Sequence, residues 1–276
     1  METNVLSSYS DSSMAFNHTI SEKPDDSDFF LHSHNTCELT FIVSGEVSWV
    51  IEGKTYKMRK NDLAILRPSV VHGVHVNGAE VYERYNVNFN GKEIADNAVE
   101  EIPREIEVIS LSSSTHITDL FKKLDFYSRS FNGERRRMLI SNIIEELIFN
   151  LTLQAKGKTD ENSTLISPVL TRALEYIDEN YTECIGIEDI CRALYVSKSH
   201  IHSLFTKHLR TSPKKYLNLK RLAYAQMLIR MGKKPYSIYQ QCGFSDYASF
   251  YRNYKKHFGY APSCELESNT KIKIIT

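Results

Sequence analysis

Residues 187–213 read IEDICRALYVSKSHIHSLFTKHLRTSP, and residues 235–262 read PYSIYQQCGFSDYASFYRNYKKHFGYAP. The two stretches carry one pattern written twice. Ile190, Leu194, Val196 and Ser197 in the first match Ile238, Cys242, Phe244 and Ser245 in the second at an offset of 48 residues. Past the turn the offset becomes 49, pairing Ile201, Phe205, Lys207 and Pro213 with Phe250, Tyr254, Lys256 and Pro262. Each copy predicts a short apolar segment, a tight turn and an amphipathic helix opened by Ser197 or Asp246, whose side chains can accept from the orphan N–H groups of a first helical turn. That is the layout of a helix-turn-helix, and two in tandem point to a DNA reader.

The helical period assigns faces within each copy. Ile201, Leu204, Phe205 and Leu209 fall on one side of the first helix, leaving Ser199, His202, Ser203 and Thr206 on the other. In the second, Phe250 and Tyr254 point inward, so that Tyr247, Ala248, Tyr251, Arg252 and Lys255 face outward. Ser199, His202, Ser203, Thr206, Tyr247, Ala248, Tyr251 and Arg252 are the expected base-reading set, with Arg252 suited to a bidentate contact to guanine. Lys198, Lys207, Lys214, Lys215, Lys255 and Lys256 are the expected phosphate contacts, which position without specifying.

From Ser167 to Pro262 the chain resembles the DNA-binding domain of the AraC/XylS family of bacterial transcription regulators. The resemblance rests on Ser197, Ile201, Phe205, Pro213, Tyr216, Arg221, Leu222, Ala225, Ile238, the run Cys242-Gly243-Phe244-Ser245-Asp246, Phe250, Arg252, Tyr254, Gly259 and Pro262. It implies a long helix joining the two units, supplied by Lys214 to Met231, with Pro213 in its first turn and Gly232 and Pro235 ending it. It also implies promoter DNA and RNA polymerase as partners, and activation as the commoner outcome. Three positions depart from the pattern: Tyr195 and Arg210 stand where turn glycines are common, and Tyr239 stands where a small Ala is usual. A left-handed Arg210 costs about 1–2 kcal/mol, which the fold can absorb.

Charge divides the chain in the same place. Residues 1–166 hold 17 Lys/Arg against 25 Asp/Glu, a net of −8, whereas residues 167–262 hold 15 against 7, a net of +8, so the overall neutrality hides two opposed halves. A basic half suits a polyanion whose binding weakens with salt; an acidic half repels DNA and is free to sense something else. With 276 residues and 41% hydrophobic content the chain is long enough for two cores. The first thirty residues hold no apolar signal region and no stretch has transmembrane length, so a soluble cytoplasmic protein with no membrane partner is expected. The five cysteines, Cys37, Cys184, Cys191, Cys242 and Cys264, form no C-x-x-C pair. Cys191 and Cys242 sit in small apolar slots, and Cys37 adjoins a histidine cluster, where a thiol-sensing role is the alternative to a structural one.

The N-terminal half reads as β. Leu39–Val43, Val47–Ile51, Lys54–Met58 and Leu63–Leu66 are short β-prone runs separated by turn signals at Ser44-Gly45, Glu52-Gly53 and Asn61-Asp62, the spacing of a small antiparallel barrel or sandwich. Here His32, His34, Glu38, Gly45, Pro68 and His72 resemble the two cupin motifs, although Asn61 replaces the Gly that opens the second. Alternation turns Glu38, Thr40 and Ile42 into the lumen and Leu39, Phe41 and Val43 outward onto helices. The expected effector pocket comprises His32, His34, Glu38, Thr40, Trp49, His72, Tyr82 and Arg84, with Tyr56 and Tyr85 adding aromatic surface suited to a sugar or a small organic acid. Two readings stay open for His32, His34, Glu38 and His72: hydrogen-bonding pocket walls with no cofactor, or ligands to a divalent metal.

His116–Phe131 and Glu134–Gln154 are amphipathic, with Leu120, Phe121, Leu124 and Tyr127 on the first and Met138, Ile143, Leu147 and Leu151 on the second. A single small barrel should not cover both stripes, which leaves one for a homodimer contact, against the plainer alternative of packing within the chain. Lys156–Ser163 is polar and aperiodic. The expected organisation is therefore α+β multidomain. It runs as a cupin-like effector-sensing barrel with an N-terminal arm (1–112), a helical dimerisation segment (113–155), a linker (156–166), an all-α double helix-turn-helix domain (167–265) and a tail (266–276). The function expected is a ligand-responsive transcription regulator, an activator of an operon for small-molecule, possibly carbohydrate, metabolism, responding to a small-molecule effector. The alternatives are a metal-dependent cupin enzyme fused to a DNA-binding module, and a constitutive DNA binder whose barrel only dimerises.

Overall fold

A computed structural model of the chain describes residues 3–25, 29, 31–76, 81–156, 163–165 and 167–265. Its N-terminal half is built from antiparallel ladders throughout. The runs expected as strands appear as β3 (Cys37–Ser44), β4 (Val47–Ile51), β5 (Lys54–Met58) and β6 (Asp62–Leu66). Five more strands frame them: β1 (Thr3–Ser10), β2 (Met14–Glu22), β7 (His72–His75), β8 (Val81–Phe89) and β9 (Val108–Ser110). One sheet has the order β1-β2-β8-β3-β6-β9, and the second runs β10-β5-β4-β7, where β10 is Ser163–Leu165. The segment expected as an N-terminal arm thus supplies a hairpin, β1 on β2, to the larger sheet. Part of the expected linker, residues 163–165, pairs with β5 instead of running free; most of the remainder, and the tail at 266–276, lie outside the described residues.

The larger sheet is polar inside and apolar outside. The register pairs Ser21 with Tyr82, Thr19 with Arg84 and Asn17 with Asn86, then Glu38 with Asn88 and Thr40 with Asn86, so one face of β2, β8 and β3 is lined almost wholly by polar side chains. Directly opposed residues share a face because side chains alternate along each strand. The other face carries Met14, Phe16, Leu39, Phe41, Val87 and Phe89, all in one buried cluster with Leu120, Phe121, Leu124, Ile143, Leu147 and Leu151 of the two helices α1 (Thr115–Ser130) and α2 (Gly133–Ala155). Phe41 and Phe121 stack with ring centroids 4.6 Å apart. The expectation that one helical stripe would stay uncovered is therefore corrected: the apolar part of the outer face is wide enough to seat both helices. Met138, grouped with the apolar stripe of the second helix, is 52% exposed and stands apart from the buried Ile143, Leu147 and Leu151. On the same side His18 contacts Asp125 of α1 at 2.9 Å and Glu83 of β8 at 2.9 Å, and stacks on Tyr85. Burial alone would lower its pKa, but these two carboxylates outweigh it and raise it.

The C-terminal half is helical: α3 (Pro168–Asn180), α4 (Ile187–Leu194), α5 (Lys198–Leu209), α6 (Pro213–Arg230), α7 (Pro235–Ile238) and α8 (Tyr247–Phe258). Two of the caps, Ser197 and Asp246, are those expected from the sequence, and Ser212 adds a third. Ser197, Ser212 and Asp246 accept from the N–H groups of His200, Lys215 and Ser249, and Pro213 occupies the first turn of α6, where a missing N–H costs nothing. Tyr195 (φ 55) and Arg210 (φ 49) both take left-handed backbone where glycine is easiest, and Tyr195 does so while 95% exposed. One side chain ties the two units together. Arg221, in the middle of α6, donates to the carbonyls of Tyr181, Glu183 and Ile185 at 2.8, 2.8 and 2.9 Å, meeting acceptors that the end of α3 leaves open. Gly243 packs against this knot at φ 78, and a Cβ there would stand 2.4 Å from the Tyr181 carbonyl oxygen and 2.6 Å from Arg221 Nε.

Candidate DNA-reading face and effector pocket

In the first helix-turn-helix unit Ile201, Phe205 and Leu209 are buried under α5, while Ser199, His202, Ser203 and Thr206 are exposed along its other side. In the second unit Phe250 and Tyr254 are buried, and Ala248, Arg252, Lys255 and Lys256 are exposed on α8. Tyr247 and Tyr251 are half-buried. Tyr247 meets Tyr236, Tyr239 and Tyr251 at centroid distances of 5.1, 5.9 and 6.3 Å, an aromatic cluster that gives the bulky Tyr239 its place. Lys207 and Lys214 are exposed. Lys198 and Lys215 are exposed too; Lys198 forms a surface ion pair with Glu188 on α4, and Lys215 also lines a cavity between the two halves of the chain, contacts that sequence spacing did not foresee.

The pocket in the barrel forms because a short segment pairs with β7. The backbones of His32 and His72 exchange hydrogen bonds at 2.9 and 3.0 Å, bringing their rings to 4.4 Å and the His34 ring to 5.0 Å from His72. Ligand atoms of His32, His34, Glu38 and His72 all lie within 4.8 Å of one another. Glu38 is buried, and its carboxylate accepts from Thr40 (2.8 Å), Asn86 (2.9 Å), Asn88 (3.0 Å) and His34 Nε2 (2.7 Å). Burial would raise its pKa, yet the His34 hydrogen bond and the surrounding imidazoles hold it well below the usual carboxylate range. The His72 pKa is lowered as well: burial and the neighbouring His32 hold it well below the usual imidazole range, which keeps the ring neutral. Its Nδ1 lies 2.9 Å from the Val70 carbonyl and must donate there, leaving Nε2 as a lone-pair acceptor.

His32, Glu38, Trp49, His72, Tyr82 and Arg84 line a cavity of about 30 Å³ together with Phe29, Gly73, Val74 and Asn86. Thr40 and His34 stand behind Glu38 as its hydrogen-bond partners. Two expected aromatic walls are elsewhere. Tyr85 lies on the strand phase that alternation turns away from this cavity and faces α1, where it donates to Asp125; Tyr56 shares the lumen face with its partner Trp49 but does not line the cavity, and its hydroxyl donates to Glu107. Cys37 is on the outward phase too, and burial pushes its thiol up to about 12, which disfavours the thiolate that sensing would require. Phe29, Asn86 and Asn88 went unread because they belong to no motif.

A third region, between the halves, left no mark in the sequence pattern. Leu31, Val50 and Val71 of the β half share a buried cluster with Leu170, Leu174, Phe205 and Tyr216. The turn of the β4–β5 hairpin presses on α3: a Cβ on Gly53 would stand 2.0 Å from Leu174 Cδ1. Beside it, Glu52 accepts from the Val71 N–H at 2.7 Å, from Tyr216 Oη at 3.2 Å and from Lys220 Nζ at 2.9 and 3.1 Å, and Lys220 also meets Asp178 at 2.8 Å. Burial pushes Glu52 up to about 7 against the opposing pull of Lys220, and Glu52 with Asp178 raises Lys220 in turn. A cavity of about 390 Å³ opens nearby, lined from one side by Asp25, Phe29, Gly73 and Val74 and from the other by Leu209, Arg210, Thr211 and Lys215. Phe29, Gly73 and Val74 border both cavities. Among the described residues no helix is long and apolar enough to cross a membrane.

Known families match the two halves separately. An AraC-like ligand binding domain matches residues 19–124, and a helix-turn-helix domain matches residues 190–267. The chain is 25% identical over 222 residues to the lactose operon transcription activator of Staphylococcus xylosus, covering 80% of each chain. It is 28% identical over 148 residues to the raffinose operon transcriptional regulatory protein RafR of Pediococcus pentosaceus, covering 53% of this chain and 52% of that one. An uncharacterised helix-turn-helix regulator, YbfI of Bacillus subtilis, is 24% identical over 221 residues and 78% of each chain.

Proposed function

The chain belongs to the AraC family of DNA-binding transcription regulators, and on that premise we propose that it activates a carbohydrate-utilisation operon in response to a small effector held in its barrel. It is a regulator and not an enzyme, as its relatives are. The carbohydrate assignment draws on the lactose and raffinose operons named for two relatives. One observation carries the ligand response. The effector pocket and the DNA-binding half share Phe29, Gly73 and Val74 through the interdomain cavity, and the hairpin above them is ion-paired to α6, the helix that joins the two reading units. An effector that alters the packing of Phe29 changes how firmly the barrel restrains α6. That difference between two arrangements is the free energy a ligand-driven shift requires.

On the DNA side, Ser199, His202, Ser203 and Thr206 of α5 and Ala248 and Arg252 of α8 are the base readers, with Tyr247 and Tyr251 contributing their exposed edges. Lys207, Lys214, Lys255 and Lys256 hold phosphates; Lys198 would join them only by leaving Glu188, and Lys215 sits at the domain boundary. The effector pocket needs no metal. Four hydrogen bonds to Glu38 use the lone-pair sites that a cation would take. Metal at one per chain after expression in metal-rich medium, lost on His34→Ala, would overturn this point. Met138, Phe149 and Leu153 are 52%, 50% and 64% exposed and fall along one outer side of α2, which supports that side as the surface of a homodimer contact in place of the covered stripes. RNA polymerase is the partner that activation requires, and the cytoplasm is the compartment where both it and the DNA are found.

Footprinting on the DNA beside its own gene, with and without lactose, raffinose and their component sugars, tests the whole reading. A protected promoter segment whose occupancy or extent changes with one of these compounds is expected. Protection indifferent to every sugar would favour the constitutive binder.

A further inference from the structure

Among the described residues, the lumen places a buried positive charge with no carboxylate in ion-pair contact. Arg84 is 3% exposed, and its polar contact is a single hydroxyl, Ser21 Oγ at 3.4 Å; its guanidinium otherwise lies against the rings of Tyr82 (4.4 Å) and Phe29 (5.2 Å). Glu38, the carboxylate of the same wall, already has all its lone-pair sites engaged by Thr40, Asn86, Asn88 and His34. A guanidinium has five N–H donors in a fork matched to carboxylate or phosphate, and burying it without a counter-ion is costly.

Other groups in the lumen are also unsatisfied, and they sort by polarity. Trp49 Nε1 and Tyr82 Oη, both buried, face each other and have no further hydrogen-bond partner among the described residues, so the Tyr82 hydroxyl can donate. His72 Nε2 and Asn86 Oδ1, equally buried and on the cavity wall, have none either and can accept, because the Asn86 amide nitrogen is committed to Glu38 and His72 Nδ1 to Val70. Native interiors rarely leave such a group unpaired, and a set of them facing one cavity describes the complement of a ligand.

We propose that the effector is a hydroxylated anion, a sugar acid or sugar phosphate, with its charged group on Arg84 beside Tyr82 and Trp49 and its hydroxyls donating to His72 and Asn86. This rests on the reading of the barrel as the effector domain and narrows it. The 30 Å³ now open is about the space of one water, so the ligand takes the position of the Phe29 ring over the guanidinium. Phe29 also borders the larger interdomain cavity, so its displacement is felt at Leu209, Arg210 and Thr211.

The test is calorimetric titration of the full chain with galactose, galacturonate and galactose 6-phosphate at fixed ionic strength, with sodium sulfate as the bare-anion control. At least one of the two acids is expected to bind ten-fold or more tightly than galactose, and sulfate at least ten-fold more weakly than that acid; which acid wins distinguishes carboxylate from phosphate. Arg84→Met should remove the preference, and Arg84→Lys, which keeps the charge and guards against a folding artefact, should retain most of it. Galactose binding as tightly as its acids, or a preference that survives in Arg84→Met, overturns the anionic class. Should galactose alone bind, the ligand-responsive regulator stands and only this inference falls. Silence from every probe counts against the inference, and the footprinting above then decides separately whether the regulator reading survives.

Discussion

Lys220 Nζ lies 2.9 Å from Glu52 Oε1, and the two residues are 168 positions apart, one on the helix that joins the DNA-reading units and the other on a hairpin of the sensor barrel. Both are largely buried, so water screens the contact weakly, and Asp178 adds a second carboxylate to the same ammonium. Removing the cation would leave Glu52 buried beside another acid. Lys220→Ala should therefore loosen the docking of the two halves by about 2–3 kcal/mol, less than a fully buried pair because Asp178 is partly exposed. Amide exchange on β4, β5 and α3 reads this directly. The same variant should bind promoter DNA with a weaker dependence on effector. Unchanged exchange would remove the pair from the coupling between halves.

Docking should also depend on pH. A carboxyl whose pKa rises to about 7 on docking, from an ordinary value near 4.5, binds a proton more tightly in the docked state. Its contribution is complete below the ordinary value and is lost as pH rises through about 7. Protection factors on the β4–β5 hairpin, which divide out the intrinsic base-catalysed rate, should accordingly fall between pH 5 and pH 7.5, and Glu52→Gln should flatten that dependence. His18, with its raised pKa, loses its contribution in the same direction, so global melting would blend the two groups. The local readout separates them. A hairpin that becomes better protected as pH rises would show the sign to be wrong.

Two backbone positions should respond oppositely to substitution. Tyr195 is left-handed and almost wholly exposed, so Tyr195→Gly removes about 1–2 kcal/mol of strain against about 0.5–1 kcal/mol of added chain entropy in the unfolded state, a net gain of roughly 0.5–1 kcal/mol. Gly243→Ala would drive a Cβ into the Tyr181 carbonyl and Arg221 at a positive φ and should cost about 2–4 kcal/mol. Urea unfolding of both variants beside the parent measures the two shifts.

On the DNA itself, Arg252→Ala should relax discrimination at one base position and cost about 1–3 kcal/mol on the best site, whereas Lys256→Ala should weaken all sequences alike and lower the salt slope by about one. Binding titrations on a site and its single-base variants, at two salt concentrations, distinguish these patterns. A uniform loss for Arg252→Ala would reassign it to the phosphates.

At the level of one residue and its near neighbours, much was legible in the chain before folding. The caps Ser197 and Asp246 and the inward residues Ile201, Phe205, Phe250 and Tyr254 follow from local hydrogen bonding and a 3.6-residue period, and the structure has them in place. Alternation put Glu38 inside and Phe41 outside for the same reason. Strands β2 and β8 escaped notice because their lumen faces are polar and blur the apolar signal by which a half-buried strand is recognised.

What the sequence determined alone is the doubled reading unit and the strand phase around Glu38, because both are set by neighbours within a few residues and no distant contact can reverse them. What the tertiary structure decided is which polar groups lack partners and which charges meet: the bare guanidinium of Arg84, the saturated carboxylate of Glu38 and the Glu52–Lys220 pair. Those depend on strands and helices far apart in the chain arriving at one place, and the energy of a charge is fixed by what surrounds it there.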